Sequence, residues 1–399
     1  MSQRNAEVIV VGAGPAGATA AYFLAKAGVD VFLLDQATFP RDKSCGDGLG
    51  YHAVCMLEKM GLGDWIRRND HNPNQQFLLS SPDGTSAVAP SPPDVRGYSY
   101  TVPRVELDVR LVEAAVGADA TLHQRTRVTA LERLTPDMLR VVSERETYSA
   151  PLVIAADGGN VSFTRRLGLA PRLAEWVAAR AYYEGDTGDP HQLEIHWEPS
   201  VLPGYCWIFP SGGGRVNVGV GAYSRDVREQ RLNLSAMLET FVVENPHARA
   251  RLGNAQRVTP IIGHPLRADA PDVTPYADNV LVAGEAAGLV SPLTGEGIGN
   301  SMVSGEMAAQ AAIKALEHGE FSSTALAAYG RDFHMRFDAP HRAARLARSM
   351  LNRAWVLNRS LRRAARDHDY AVQLNRILVG QRSPATLFAP GMALKTLLG

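Results

Sequence analysis

Two short apolar runs near the start of the chain flank an alanine-rich segment with helical spacing. Val8–Val11 is a run of β-branched and aliphatic residues, residues 16–27 have the pattern of a helix that ends at Gly28, and residues 29–34 form a second apolar run that ends on Asp35. A glycine just past a helix is typical of a C-terminal cap. Strand, helix and strand in this order predict a parallel βαβ unit.

Further patterns along the chain predict an α/β protein with interleaved elements. Helices are expected over residues 51–68, 104–115, 232–244 and 297–316, and buried strands over residues 152–157 and 280–283. Residues 171–222 alternate aromatic or β-branched residues with polar ones, which favours β-strands. The region from 325 to 399 has helical periodicity. Because helical and strand segments alternate throughout, we expect no clean domain boundaries.

Composition limits the class of protein. The chain has 399 residues, 45% hydrophobic and 21% charged, with a formal net charge of zero, which is typical of a globular protein without a global basic field for nucleic acid. Three cysteines are too few for a disulfide framework, and no apolar run of about 18 residues occurs. The first residues lack a signal-peptide layout, so a cytoplasmic protein is expected. The eleven histidines show no metal-ligand spacing, so no metal is expected.

The segment between the first strand and helix predicts a dinucleotide site. Gly12, Gly14 and Gly17 form a G-x-G-x-x-G motif, with Pro15 and Ala16 at the start of the helix. The glycines permit a tight turn, close approach of a diphosphate and close helix–strand packing. Asp35, followed by Gln36, ends the second strand, where a carboxylate accepts the ribose hydroxyls and repels a 2′-phosphate.

Four motifs in order make the chain resemble FAD-dependent oxidoreductases of the p-hydroxybenzoate hydroxylase fold. After the glycine motif come Arg104 to Asp108, then Asp157-Gly158, then Gly284-Glu285-Ala286. The resemblance implies a Rossmann-like FAD-binding domain interleaved with an antiparallel β-sheet substrate domain and followed by a C-terminal helical region. It also implies that helix amides after Gly295 and Glu296 face the flavin. The expected FAD-binding residues are Gly12, Gly14, Pro15, Ala16, Gly17, Asp35, Gln36, Arg41, Cys45, Gly46, Arg104, Asp157, Gly158, Gly284, Glu285, Gly295, Gly297 and Ile298.

Two further segments resemble the geranylgeranyl reductase family, which includes archaeal lipid reductases and actinobacterial menaquinone side-chain reductases. Residues 40–49 read PRDKSCGDGL, and residues 203–210 read PGYCWIFP. The resemblance implies reduction of carbon–carbon double bonds in an isoprenoid or polyprenyl substrate, with hydride from reduced flavin N5 and NAD(P)H as a transient donor. The expected domains are FAD-binding (residues 1–70, 96–170 and 270–325), substrate-binding (71–95 and 171–269) and C-terminal helical (326–399).

An alternating aromatic strand and a nearby cysteine are the candidate catalytic elements. Tyr205, Trp207 and Phe209 would share one face of a strand, and Cys206 would point to the other face. Aromatic faces stabilise cationic character at a carbon. We therefore expect Cys45, Tyr205 and Trp207 to be catalytic and Tyr205, Trp207, Phe209 and Pro292 to bind substrate. Arg41 and Lys43 near Cys45 would favour its thiolate.

Other functions share these motifs. A monooxygenase that hydroxylates an aromatic or polyketide-like secondary metabolite is the main alternative, and a flavin-binding scaffold or redox sensor is a third. Halogenases of this fold use a catalytic lysine, but no lysine occurs between Lys59 and Lys314. The apolar, arginine-rich C-terminal region either packs on the domain as a helical core, caps the cleft, or contacts a membrane surface peripherally.

Overall fold

The computed structural model describes residues 3–68, 71–170 and 172–398. Its strands, in chain order, are β1 (Gln3–Asn5), β2 (Val8–Val11), β3 (Val31–Leu34), β4 (Gly48–Leu49), β5 (Gln76–Ser80), β6 (Ser86–Pro90), β7 (Tyr100–Thr101), β8 (Thr121–His123), β9 (Val128–Thr135), β10 (Met138–Ser143), β11 (Thr147–Ala150), β12 (Leu152–Ala155), β13 (Trp176–Glu184), β14 (Gln192–His196), β15 (Tyr205–Pro210), β16 (Arg215–Tyr223), β17 (Gln256–Arg257), β18 (Ile262–Leu266), β19 (Tyr276–Ala277) and β20 (Val280–Val282).

The α-helices confirm the predicted helical segments and add several short ones. They are α1 (Pro15–Lys26), α2 (Tyr51–Lys59), α3 (Gly63–Arg68), α4 (Arg104–Gly117), α5 (Ser162–Arg166), α6 (Ser224–Glu229), α7 (Leu234–Glu244), α8 (Pro246–Leu252), α9 (Ile298–His318), α10 (Ser323–Leu351), α11 (Ala354–Ala364), α12 (His368–Leu378) and α13 (Pro390–Leu398). The single helix expected over residues 51–68 is two helices, because Gly61 adopts a left-handed conformation between them.

A six-stranded sheet forms the first half of the molecule. Its strand order is β19-β20-β12-β2-β3-β8, and the strands are parallel except at the β19–β20 edge. The central strands β2 and β12 are buried along their whole length, as expected for a sheet covered on both faces. Helices α1 and α9 pack together beside this sheet, so the predicted βαβ unit and the α/β class are confirmed.

A larger, mainly antiparallel sheet forms the second half. Its path is β17-β13-β16-β15-β14-β5-β6, with β18 paired to β13, and the β14–β5 pair is parallel. One face, which carries Cys206 and Ile208, packs against Leu238, Phe241 and Leu252 of α7 and α8. The opposite face points toward the first sheet. Because successive side chains of a strand point to opposite faces, one face of this sheet packs in the core and the other can contribute side chains to a site.

The C-terminal helices cover part of that second face. Leu361 of α11 and Tyr370 of α12 are buried in one apolar cluster with Phe77, Leu79 and Leu193 of the large sheet. The interpretation of this region as a packed helical core is thus confirmed for α11 and α12. None of the helices described combines the length and the apolar character that a membrane span requires.

Two smaller sheets complete the fold. The four strands β1-β11-β10-β9 form one of them. The other is the short antiparallel pair of β4 and β7, which holds the segment after Cys45 against Tyr100 and Thr101. The domain boundaries proposed from the sequence stay a prediction.

Arg251 lies between two buried carboxylates of the large-sheet half, and this cluster allows a test of the packing. Its guanidinium contacts Asp186 at 2.6 Å and Glu194 at 2.7 Å, and all three side chains are at most 5% exposed. Although burial opposes ionisation, hydrogen bonds with His196 and Arg251 lower the pKa of Glu194 to about 2.

We predict that Arg251→Met lowers the free energy of unfolding by about 3–5 kcal/mol, because it leaves two buried carboxylates without their cation. Urea denaturation at pH 7 measures the change. Arg249→Met, at an exposed position of the same helix, serves as the control and should lie within about 0.5 kcal/mol of the native protein. Equal stability of the two variants would contradict the prediction.

Candidate functional site

A cavity of about 700 Å³ lies between the two large sheets. At one end it is lined by the glycine turn and by charged side chains, among them Asp35, Arg41 and Arg104. At the other end its lining is apolar and comes from Leu49, Phe77, Leu193, Ile195, Leu378 and Val379. One continuous cavity therefore joins a polar end to an apolar end.

The glycine motif forms the floor of the polar end. Gly12 has φ +101°, and a Cβ there would lie 2.3 Å from the Ala156 carbonyl oxygen; a Cβ on Gly17 would lie 1.8 Å from the Gly12 carbonyl oxygen. These two positions accept only glycine because backbones cross there. Gly14 instead faces the cavity and caps the start of α1, with Pro15 as its first residue. The free amides of this helix end attract an anion.

Two arginines border the space above Gly14. A Cβ on Gly14 would lie 3.9 Å from a guanidinium nitrogen of both Arg41 and Arg104. Both guanidinium groups contact Asp108, Arg41 at 2.7 Å and Arg104 through two contacts of 2.8 Å. Two cations share one carboxylate, so a net positive charge remains beside the turn. This arrangement attracts a diphosphate.

Asp35 and Asp157 flank the same floor but differ in what their carboxylates can still bind. Asp35 accepts the amides of Ala13 and Ala37, both at 2.8 Å, which leaves lone pairs for further donors. Asp157 accepts the amides of Phe163 and Thr164 and also the Thr164 hydroxyl, so its carboxylate caps α5. Gln36 and Gly158 also line the cavity.

Glu285 lies farther along the cavity wall. Its Oε2 contacts the Lys43 ammonium at 3.0 Å, while its buried Oε1 has no hydrogen-bond partner among the residues that the structure describes. Burial raises the pKa of Glu285, but the charge of Lys43 and its hydrogen bond to this carboxylate act in the opposite direction, and the pKa is lowered overall. An ionised, partly unpartnered carboxylate is a ready acceptor for a ligand hydroxyl.

The segment before α9 closes the centre of the cavity. Gly295, Gly297 and Ile298 line it, and the amide of Gly299 donates to Glu296 at 2.7 Å. The Tyr205 hydroxyl donates to the Thr294 carbonyl oxygen at 2.5 Å. The aromatic strand is therefore fastened to the segment that leads into α9.

Tyr205, Trp207 and Phe209 lie on the cavity face of β15, as the alternation predicts, and Cys206 lies in the core on the opposite face. The Trp207 ring lies over Gly219 of β16, where a Cβ would come within 2.1 Å of it. A Cβ on Gly46 would lie 3.4 Å from Trp207 and 3.5 Å from Phe209. The loop that follows Cys45 thus packs directly on the aromatic rings.

Cys45 lines the cavity at the junction of its two ends. Burial raises the pKa of its thiol, and the positive charges of Arg104 and Lys43 offset this only in part. The expectation that Arg41 and Lys43 would favour a thiolate is therefore wrong for this structure, since desolvation outweighs the attraction of the cations.

Three expected site residues do not line the cavity. Gly17 and Gly284 contribute by close packing, because a Cβ on Gly284 would lie 2.6 Å from the Ala16 Cβ. Pro292, expected to bind substrate, is buried and does not line the cavity, whereas its neighbours in the sequence Val290 and Thr294 to Ile298 do. A role of Pro292 in substrate binding stays a prediction.

Several cavity residues were missed by sequence reasoning. Asp47 lies within the 40–49 motif, and it is bound by Tyr182 and Asn217 of the large sheet. Because Asp47 lies within that motif, the sequence could have indicated it as a site residue. Leu193 and Leu378 gave no local signal, because they come from distant segments that meet only in the fold.

The cavity fits FAD on its own geometry. It combines an open anion-binding turn at Gly14, a net positive charge beside that turn and an unpartnered Glu285 oxygen farther along. Within the described ranges, no group of three or more His, Cys, Asp or Glu side chains is placed to hold a metal ion.

Comparisons with known proteins agree with this geometry. Residues 5–183 match the family model of the FAD binding domain, and residues 177–258 match that of the geranylgeranyl reductase catalytic domain. The chain is 35% identical to a menaquinone reductase of Mycobacterium tuberculosis over 317 residues, which cover 77% of this chain and 76% of that protein. It is 32% identical to digeranylgeranylglycerophospholipid reductase 1 of Methanopyrus kandleri over 365 residues, or 86% of this chain and 90% of that one.

A solved structure shows the same fold. The crystal structure of a geranylgeranyl bacteriochlorophyll reductase-like protein from Thermoplasma acidophilum superposes with a TM-score of 0.84 at 22% identity, covering 97% of this chain and 99% of that one. Fold and matched domains together define a FAD-dependent oxidoreductase of the p-hydroxybenzoate hydroxylase type. The chain belongs to the geranylgeranyl reductase family, as the two sequence segments indicated.

We predict that Arg41→Met weakens FAD binding roughly 10- to 100-fold, since it removes the net positive charge beside Gly14 and a charge-assisted hydrogen bond is worth about 1.5–3 kcal/mol. Titration of the apoprotein with FAD, followed by flavin fluorescence, measures the affinity. Arg110→Met is the control, because this side chain is half-exposed on α4 and pairs with Glu113. Native-like affinity in Arg41→Met would refute the assignment.

Proposed function

We propose that this protein reduces carbon–carbon double bonds in the isoprenoid chain of a hydrophobic substrate. One observation carries the proposal: the Cys45 loop, the aromatic strand and the segment before α9 meet where the polar end of the cavity joins the apolar end. A chain-like apolar substrate in the second half would reach the cofactor at this junction. The proposal is also supported by relatives named as reductases of menaquinone and of digeranylgeranylglycerophospholipid.

The cofactor-binding roles proposed from the sequence fit the polar end. Arg41, Arg104 and the amides after Gly14 would hold the FAD diphosphate, Asp35 the adenosine ribose, and Glu285 a hydroxyl of the ribityl chain. The positive end of α9 would lie against the flavin pyrimidine ring. When bound and reduced, FAD supplies a hydride equivalent. NAD(P)H is the proposed donor that reduces it.

The aromatic strand would form the wall against which the alkene lies. Trp207 is 5% exposed and presents its ring to the cavity. Desolvated aromatic faces stabilise a cation by about 2 kcal/mol or more. Positive character that develops at one alkene carbon during reduction would therefore be stabilised here by the aromatic ring.

Tyr205 and Cys45 would position the reacting atoms rather than ionise. The Tyr205 hydroxyl donates its hydrogen to Thr294, and burial raises the pKa of Tyr205 well above its ordinary value. Both side chains therefore keep their protons at neutral pH. They would hold the substrate at a fixed depth between the aromatic strand and the Cys45 loop.

The C-terminal region supports a peripheral contact with the membrane that would contain such a substrate. Trp355 of α11 is 51% exposed, and Leu394 and Leu397 of α13 are 57% and 56% exposed. These two helices pack against each other, and exposed apolar side chains beside arginines are typical of interfacial contact.

We predict that the purified protein, reduced without oxygen and mixed with prenylated lipids, yields a product that has gained two hydrogen atoms per reduced double bond. Mass spectrometry measures the gain, and the same incubation in air tests the hydroxylase alternative. A product that gains an oxygen atom only in air would contradict the proposal and identify a monooxygenase.

We predict that Trp207→Leu lowers turnover roughly 10- to 100-fold, because a desolvated aromatic face is worth about 2 kcal/mol to a cationic transition state. Cys45→Ala should also lower turnover, whereas Cys55→Ala, on α2 and outside the cavity lining, should not. Steady-state rates at saturating substrate measure both effects. Native turnover in both Trp207→Leu and Cys45→Ala would contradict the assignment of these two residues to the active site.

A further inference from the structure

A buried carboxyl group adjoins the Cys45 loop and has no part in the roles described so far. Asp47 is fully buried, lines the cavity and has φ +62°. Its Oδ2 accepts the Tyr182 hydroxyl and, at 2.7 Å, the side-chain amide of Asn217. Its Oδ1 is buried as well and has no hydrogen-bond partner within residues 3–68, 71–170 and 172–398. An ionised carboxylate is costly in such a place, and a protonated one is less so.

Asp47 is connected through one residue, Asn217, to the Trp207 side chain and to the Cys45 backbone. The Asn217 amide nitrogen also donates to the Cys45 carbonyl oxygen at 2.7 Å, and the Asn217 Oδ1 accepts the Trp207 indole N–H at 2.9 Å. Asn217, Tyr182 and Phe209 are paired in register across β16, β13 and β15. The sheet therefore holds Asp47 at a fixed place beside the aromatic wall.

The surroundings of Asp47 shift its pKa in opposite directions. Burial raises its pKa, whereas hydrogen bonds from Tyr182 and Asn217 and the charges of two arginines lower it, and the balance is a pKa of about 6. The titratable or charged groups around it are Cys45 and Lys43 of its own loop, Tyr182 and Arg180 of β13, and Arg104 of α4.

The other titratable groups of the cavity that could carry a proton have a partner for at least one atom or are held neutral. Each carboxylate accepts a backbone amide or faces a cation; these residues are Asp35, Asp42, Asp157, Glu285 and Glu296. The imidazole of His264 is held in its neutral form, because burial and the charge of Lys43 lower its pKa to about 4. Asp47 combines an unpartnered buried oxygen with a pKa of about 6. A general acid works best under that condition.

We propose that Asp47 is the acid that supplies the proton consumed in alkene reduction, with Tyr182 and Asn217 as its positioning residues. This inference rests on the proposed function. The Asp47 O–H bond breaks, its proton forms a C–H bond with the alkene π electrons, and the hydride from the reduced cofactor forms the second C–H bond. Asp47 is left as the carboxylate and regains a proton from water.

The variant Asp47→Asn tests the proposal with little change in structure. Asparagine tolerates a positive φ, and its side-chain oxygen still accepts from Tyr182 and Asn217. With FAD-loaded, anaerobically reduced protein and a prenylated lipid, the rate of a single turnover should fall roughly 10²- to 10⁴-fold, the usual contribution of general acid catalysis. Substrate affinity should change only a few-fold. Asp189→Asn, an exposed acid on the large-sheet half, is the matched control.

The dependence of the reaction rate on pH provides a second test. Protonated Asp47 is the active form, so the native rate should fall as the pH rises through about 6, and this limb should vanish in Asp47→Asn. Tyr182→Phe removes a hydrogen bond that lowers the Asp47 pKa, so the limb should move to higher pH. An unchanged rate and profile in Asp47→Asn, with native reduction of the lipid, would overturn the inference while leaving the proposed function intact.

A measurement that needs no turnover separates the two claims further. Because Trp207 is hydrogen-bonded to Asn217, and Asn217 to Asp47, ionisation of Asp47 should change the tryptophan fluorescence of the apoprotein with a midpoint near pH 6. The transition should be absent in Asp47→Asn and in Trp207→Phe. If it persists in Asp47→Asn, another group titrates and the assignment of Asp47 fails. If no lipid is reduced by any form, the proposed function fails instead.

Discussion

The close crossing of two helices over glycine is the constraint on which the rest of the structure depends. A Cβ on Gly305 of α9 would lie 2.2 Å from the Ala16 carbonyl oxygen of α1, and a Cβ on Gly284 would lie 2.6 Å from the Ala16 side chain. Only without these side chains can α9 approach α1 so closely. This close approach brings Glu285, which follows strand β20 of the parallel sheet, to the same cavity as the glycine turn. It brings the start of α9 there as well.

The fold also encloses a cavity with two chemically different ends. Charged groups from the parallel sheet and its loops surround one end, and apolar side chains from the large sheet and α12 surround the other. The Val379 carbonyl accepts the Tyr51 amide at 2.7 Å, so the C-terminal helices are anchored beside the loop that carries Cys45. Redox chemistry on an apolar chain requires this kind of junction, where a polar cofactor meets a site from which water is excluded.

Local sequence patterns predicted most of the fold and the polar end of the site, because the glycine turn, the strands and the helix starts depend on neighbouring residues. The face of β15 was also predictable from alternation. Leu378 and Leu193 were not, since 185 positions along the chain separate them and only tertiary packing brings both to the cavity. The neutral state of Cys45 was missed for a related reason: its burial depends on the large sheet, whereas the basic residues beside it are visible in the sequence.

The central claim is that a prenyl chain lies in the apolar end with one double bond against the flavin. A crystal structure of the FAD-loaded protein with a saturated prenylated lipid tests it most directly. In such a crystal we expect the flavin to lie between the Cys45 loop and the segment before α9. We also expect the lipid chain to run past Trp207 toward Phe77 and Leu193. A lipid bound outside this cavity, or a flavin that occupies its apolar end, would contradict the account.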